Sequence, residues 1–203
     1  MDAQAFWNVI GNYNEQTWLI QIVLFVFVLL AILLSYMRKV KWAAKFALGL
    51  ANLFIGLAFF AWYGTEPIQK YFALPLYLAC GGLFLYESWH NKSDMFLKPN
   101  RIQIILLLLY LLYPIVSLLL GNTFPQMVTY IMPCPVISLS MAVYAGYKKK
   151  NKVLLVLLTI WGLTGIKSII FNAYEDIILL LCGLYGLVLL VNEIKSIPKT
   201  YRG

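Results

Sequence analysis

The sequence predicts an all-α integral membrane protein: seven transmembrane helices in one bundle, forming a single transmembrane domain over residues 1–203, with the N-terminus outside and the C-terminus cytoplasmic. Three observations lead there. Of the 203 residues, 62% are hydrophobic and 12% charged, whereas soluble domains carry about a quarter charged residues. Seven apolar runs approach the roughly 20 residues that a spanning helix needs. Fourteen of the sixteen Lys and Arg residues fall on one side of those runs.

The same placement decides how the net charge of +8 is read. A nucleic-acid binder gathers its basic residues on one face of a soluble fold. Here they form short clusters between apolar runs, which suits loops facing anionic lipid on a cytoplasmic leaflet. The expected partners are therefore the lipid bilayer and anionic lipid, and not nucleic acid.

The first run, Thr17 to Tyr36, follows a segment with Asp2 and Glu15 and no Lys or Arg. Without a basic n-region or a small-residue cleavage site it is expected to remain as a helix. The second runs from Trp42 to Tyr63, the third from Tyr71 to Trp89 and the fourth from Ile102 to Leu120. No charge occurs from Ile102 to Tyr147, a stretch too long for one span, and Gly121-Asn122-Thr123-Phe124-Pro125 carries a turn signal. A fifth span is thus expected from Gln126 to Tyr147, with a sixth from Val153 to Phe171 and a seventh from Ile177 to Ile194.

Orientation follows from the basic loops. Arg38, Lys39, Lys41 and Lys45 follow the first span, Lys92, Lys98 and Arg101 the third, Lys148, Lys149, Lys150 and Lys152 the fifth, and Lys195, Lys199 and Arg202 the seventh. The opposite loops hold Lys70 against Asp2, Glu15, Glu66, Glu175 and Asp176. Trp18, Trp42, Trp62 and Trp89, with Tyr36, Tyr63 and Tyr147, lie at predicted helix ends, where amphipathic rings favour the headgroup level. Small residues at helical spacing (Ala47 and Ala51, Gly49 and Gly56, Gly162 and Gly165, Gly183 and Gly186) allow close backbone approach, within the bundle or at a homo-oligomer face.

Four features can carry chemistry. Pro133-Cys134-Pro135 in the fifth span removes two backbone donors, leaving carbonyls that must meet protein, water or an ion. Half-helices ending inside a membrane build many transporter sites; a kink satisfied by Ser and Thr hydroxyls is the plainer reading. Cys80, Cys134 and Cys182 lie at a similar depth, roughly 9–13 Å from the outer helix ends. They are candidates for a thiophilic metal, or simply packed apolar thiols. Lys167 can snorkel, pair with Glu175 or Asp176, or act in transport. Glu87, His90 and Asp94 fall on one face of an extended third helix, as a proton relay or as a solvated end. Asn52, the deepest amide, is expected to bond between helices, worth about 0.6 kcal/mol.

There is no Gly-rich phosphate loop, paired zinc motif, nucleophile elbow or inward carboxylate pair, so the sequence points away from an enzyme and identifies no cofactor. Phe6 to Trp18, Asn52 to Trp62, Leu111 to Gly121, Pro133-Cys134-Pro135 and Tyr174-Glu175-Asp176-Ile177 resemble a bacterial membrane family known only as a domain of unknown function. That resemblance covers nearly the whole chain and implies seven helices in a bacterial inner membrane. In such families Thr follows the Cys-Pro pair, where Val136 stands here. The expected function is a small transporter, channel or facilitator for an ion or small solute, built on the broken fifth helix. Lys167, Glu175 and Asp176 would then sit at its outer mouth and Glu87 with His90 at its inner exit. The alternative is a sensor or assembly subunit that binds a membrane partner and transports nothing.

Overall fold

A computed structural model describes residues 3–94 and 96–195, without the side chains of residues 3, 169 and 171. Asp2, Lys199 and Arg202 lie outside the described residues. Among these the chain is all-helical: α1 (Ala3–Tyr36), α2 (Ala43–Phe54), α3 (Leu74–His90), α4 (Arg101–Leu119), α5 (Pro133–Tyr144), α6 (Lys152–Leu163), the single turn α7 (Ser168–Phe171) and α8 (Ile177–Lys195). Four helical stretches are long and apolar enough to cross a membrane: Gln4–Tyr36, Ala43–Tyr63, Arg101–Leu119 and Tyr174–Lys195.

α1 begins well before the expected span because its N-terminal turns are amphipathic. Ile10, Tyr13, Asn14, Thr17 and Gln21 form a buried stripe, while Leu19, Ile20, Ile22 and Val23 face outward. α4 starts where a capping box sets it: Asn100 accepts the Gln103 N–H at 2.8 Å, and Gln103 Oε1 accepts the Asn100 N–H at 2.9 Å. Asn151 caps α6 by accepting from Val153 and Leu154.

At the centre stands α5, packed against α2, α4, α6 and α8 and buried at every residue except Cys134. It is shorter than the Gln126 to Tyr147 span the sequence predicts, for residues 120–132 are not helical. The reason is local: Pro125, Pro133 and Pro135 withhold backbone donors, and neighbouring helices supply substitutes, described below. At 12 residues, α5 is about 18 Å long, short of the roughly 30 Å hydrocarbon core.

Other departures from α geometry cluster with it. α2 continues as a π-helix, Ile55–Tyr63; α3 is preceded by a π-helical turn, Gln69–Ala73; and the expected sixth span breaks into the 3₁₀ turn Thr164–Lys167 after α6. Such segments recur at functional sites.

The small residues pack inside the bundle. A Cβ on Gly162 would fall 2.5 Å from Gly183 Cα, and one on Gly165 would fall 2.6 Å from the Leu180 N, so α6 and α8 meet backbone to backbone. Gly49 and Gly56 face α3 at Leu85 and Leu78. Trp18, Trp42, Trp62 and Trp89 are exposed as expected of an aromatic belt, but Tyr147 is fully buried and belongs to the core.

Candidate functional site

The non-helical residues 120–132 would leave many polar backbone groups unpaired, and side chains from three helices pair them. Tyr13 donates to the Ile131 carbonyl at 2.7 Å. Asn14 donates to the carbonyls of Pro125 and Met127 at 2.7 and 2.8 Å. Tyr77 reaches the Pro133 carbonyl at 2.6 Å, and Ser117 accepts the Val128 N–H at 3.0 Å. Gln21 links back through the Thr129 hydroxyl, which donates to its Oε1 at 2.6 Å. The sequence places this duty on Ser and Thr; Tyr and Asn perform most of it. Asn14→Leu leaves two partly buried carbonyls without their donor, a loss of up to about 1–3 kcal/mol each. Faster amide hydrogen exchange through residues 120–132 is the expected readout.

With the backbone so held, a cavity of ≈ 190 Å³ opens beside the N-terminus of α5. Each π and 3₁₀ segment contributes to its wall: Phe59 and Phe60 from the first π-helix, Phe72 from the second, Lys167 from the 3₁₀ turn after α6 and Asp176 from the turn before α8. Pro133, Cys134 and Pro135 form one side, and Phe6 and Trp161 also line it. Cys134 neighbours both the Asp176 carboxyl and the Trp161 indole. Asp176 Oδ1 and Trp161 Nε1 are enclosed without hydrogen-bond partners.

Of the residues the sequence singles out, Pro133, Cys134, Pro135, Lys167 and Asp176 therefore meet at one cavity. Glu175 does not join them. It is buried on the other side of its turn, where Oε1 accepts the Ser117 hydroxyl at 2.9 Å. Lys167 is exposed, and among the described residues it forms no ion pair with Glu175 or Asp176. Asn52 makes its interhelical bond, donating to Ser140 Oγ at 3.1 Å as well as to the Leu48 carbonyl at 2.8 Å.

The cysteines do not gather: Cys80 and Cys182 are buried, Cys134 lines the cavity, and among the described residues no group of three or more His, Cys, Asp or Glu is placed to hold a metal. The shared face of Glu87, His90 and Asp94 is also corrected, because α3 ends at His90 and the chain turns. Glu87 and Asp94 turn inward to Lys45, at 3.0 and 2.9 Å. His90 is exposed and stacks on Tyr86, with ring centroids 4.0 Å apart. Lys45 is thus no loop charge: it is fully buried, 4.2 Å from the Tyr147 ring centroid.

Sequence reasoning missed Lys45 and the cavity's aromatic walls. The polar stripe Tyr13, Asn14, Thr17, Gln21 on one face of α1 was the legible signal that α1 faces something polar. Phe59, Phe60 and Phe72 gave none, since in an apolar run an aromatic facing lipid reads the same as one facing a cavity.

Comparison with curated proteins and with solved structures finds no match in either. A family model described as a family of unknown function (DUF6064) matches residues 3–198. With nearly the whole chain covered, the protein belongs to that family, DUF6064.

Proposed function

We propose that the chain crosses a bacterial inner membrane seven times, N-terminus outside, and carries a small solute or ion through the cavity at the α5 N-terminus. Support for the membrane reading is the belt of exposed Leu, Ile, Val and Phe on α1, α4 and α8, which fits lipid, and the alternation of basic loops. α3, α5 and α6 then span with their irregular extensions, which is tolerated where non-helical backbone lines a cavity or is buried in protein.

The observation that carries the transport reading is convergence: two π-helical turns, two 3₁₀ turns and an unwound half-span all contribute to one cavity. Discontinuous helices around a mid-membrane site are the usual construction of secondary transporters. α5 is buried from Pro135 through Tyr144, so passage beyond it requires a second arrangement of the helices. A facilitator or transporter with alternating access fits this better than an open channel.

Flux of solute panels into liposomes containing the purified protein tests the reading. Cys134→Ala is expected to lower flux about tenfold, equivalent to about 1.4 kcal/mol, and Lys167→Met to change it, while both leave the thermal midpoint in place. Unchanged flux in folded variants overturns the site. Absence of flux for every solute, with a membrane protein co-purifying in stoichiometric amount, favours the sensor or assembly role instead.

A further inference from the structure

Resting on the reading of this cavity as the binding site, we propose that its ligand is a small organic cation, an alkylated ammonium of about choline size.

The walls are aromatic: Phe6, Phe59, Phe60, Phe72 and Trp161 all border the space. Their rings are held by one another, with Phe60 and Tyr77 edge-on to Trp161 at centroid distances of 5.6 and 5.0 Å and Phe72 stacked on it at 6.3 Å. Aromatic faces carry negative potential and attract cations, most effectively where water is excluded, and cages of this kind recognise quaternary ammonium groups.

The charge arrangement points the same way. Asp176 lines the cavity, one of its oxygens is enclosed without a partner, and among the described residues it has no ion pair. An ionised carboxylate in such a place is costly unless a cation meets it. Lys167, the cation in the wall, is exposed.

Other ligand classes fit less well. A half-helix N-terminus ordinarily attracts anions through free N–H groups. Here Pro133 and Pro135 have none and the Val136 N–H is already bonded to the Met132 carbonyl at 2.9 Å, so of the first four residues of α5 only Cys134 can offer one. A neutral apolar guest offers the unpartnered Asp176 Oδ1 neither a charge nor a hydrogen bond. A bare metal ion finds no group of three or more ligating side chains among the described residues. In size, ≈ 190 Å³ slightly exceeds the cavity of about 150 Å³ that holds benzene, which suits a branched ligand of comparable bulk.

Thermal stability of the detergent-purified full chain, titrated with choline, tetramethylammonium and trimethylamine, tests the proposal against 3,3-dimethylbutan-1-ol, the neutral isostere of choline, and inorganic phosphate. A bound ligand raises the midpoint with concentration. At least one ammonium is expected to bind about tenfold more tightly than the isostere, and Asp176→Asn is expected to erase that preference. Phe72→Leu, at a partly exposed wall position, is expected to weaken ammonium binding while leaving the ligand-free midpoint unchanged. If the isostere or phosphate binds as well as every ammonium, or Asp176→Asn and Phe72→Leu both leave binding unaltered, the cation assignment falls while the cavity stands as a site. If no probe shifts the midpoint, the assignment falls as well. Flux that is also indifferent to Cys134→Ala then removes the cavity reading with it.

Discussion

Lys45→Met is expected to destabilise the protein by about 3–5 kcal/mol, the usual consequence of removing one partner from a buried ion cluster. The Lys45 side chain is fully buried, and its Nζ lies 3.0 Å from Glu87 Oε2 and 2.9 Å from Asp94 Oδ2, whose side chains are 5% and 3% exposed. Asp94 also accepts the Lys149 N–H at 3.3 Å, and the ammonium lies 4.2 Å from the Tyr147 ring centroid. One cation therefore ties the first turn of α2 to the end of α3 and to the segment after α5. Without it, two carboxylates face each other in an enclosed site with no counter-charge. Equilibrium unfolding in detergent checks this, alongside the triple variant Lys45→Met/Glu87→Gln/Asp94→Asn. The single substitution is expected to be the less stable of the two, because the triple removes the uncompensated charge together with its partner. A single variant within about 1 kcal/mol of wild type, the range of an exposed pair, contradicts the burial of the cluster.

Gly183→Val is expected to cost about 3 kcal/mol or more, the upper range for overpacking. A Cβ at Gly183 would lie 2.4 Å from the Gly162 carbonyl carbon and 2.6 Å from the Leu163 N. Both atoms are backbone, so no rotamer change relieves the clash, and α6 and α8 must separate along their whole contact. That contact also holds Trp161 and Asp176 on the cavity wall, so the proposed ligand binding is expected to fail along with stability. Gly82→Ala is the matched control. Nothing lies within 4 Å of a Cβ there, and the helical position favours Ala by up to about 1 kcal/mol. A lowered thermal midpoint for Gly183→Val with an unchanged or raised one for Gly82→Ala is the expected pair of results.

How much of the site was legible depended on whether its signal was local. Pro133-Cys134-Pro135 marked the break in the fifth helix because a missing N–H is a property of the residue itself, whatever surrounds it. The polar residues Lys167 and Asp176 were visible because charge is conspicuous in an apolar chain. Trp161 and the phenylalanines were not, since an aromatic residue is ordinary in an apolar segment whichever way it faces. The Gly162, Gly165, Gly183 spacing announced close helix contact, and the structure supplied the pairing of α6 with α8.

The helical class, the apolar runs, the place where the fifth helix breaks and the positions at which helices can approach closely are all legible in the residues alone. Each of these follows from backbone donors, side-chain volume and hydropathy within a few residues. Which polar residues turn inward depends instead on how the helices pack. Lys45, one turn into α2, is as compatible with a lipid-facing loop as with a buried cluster until Glu87 and Asp94 arrive beside it; His90, three residues from Glu87, turns outward because α3 ends there. Likewise the carbonyls freed by the prolines had to be satisfied by something, but that Tyr13, Asn14 and Tyr77 satisfy them depends on how α1 and α3 are rotated and docked. Rotation and docking are set by packing across the whole bundle, which no spacing along the chain records.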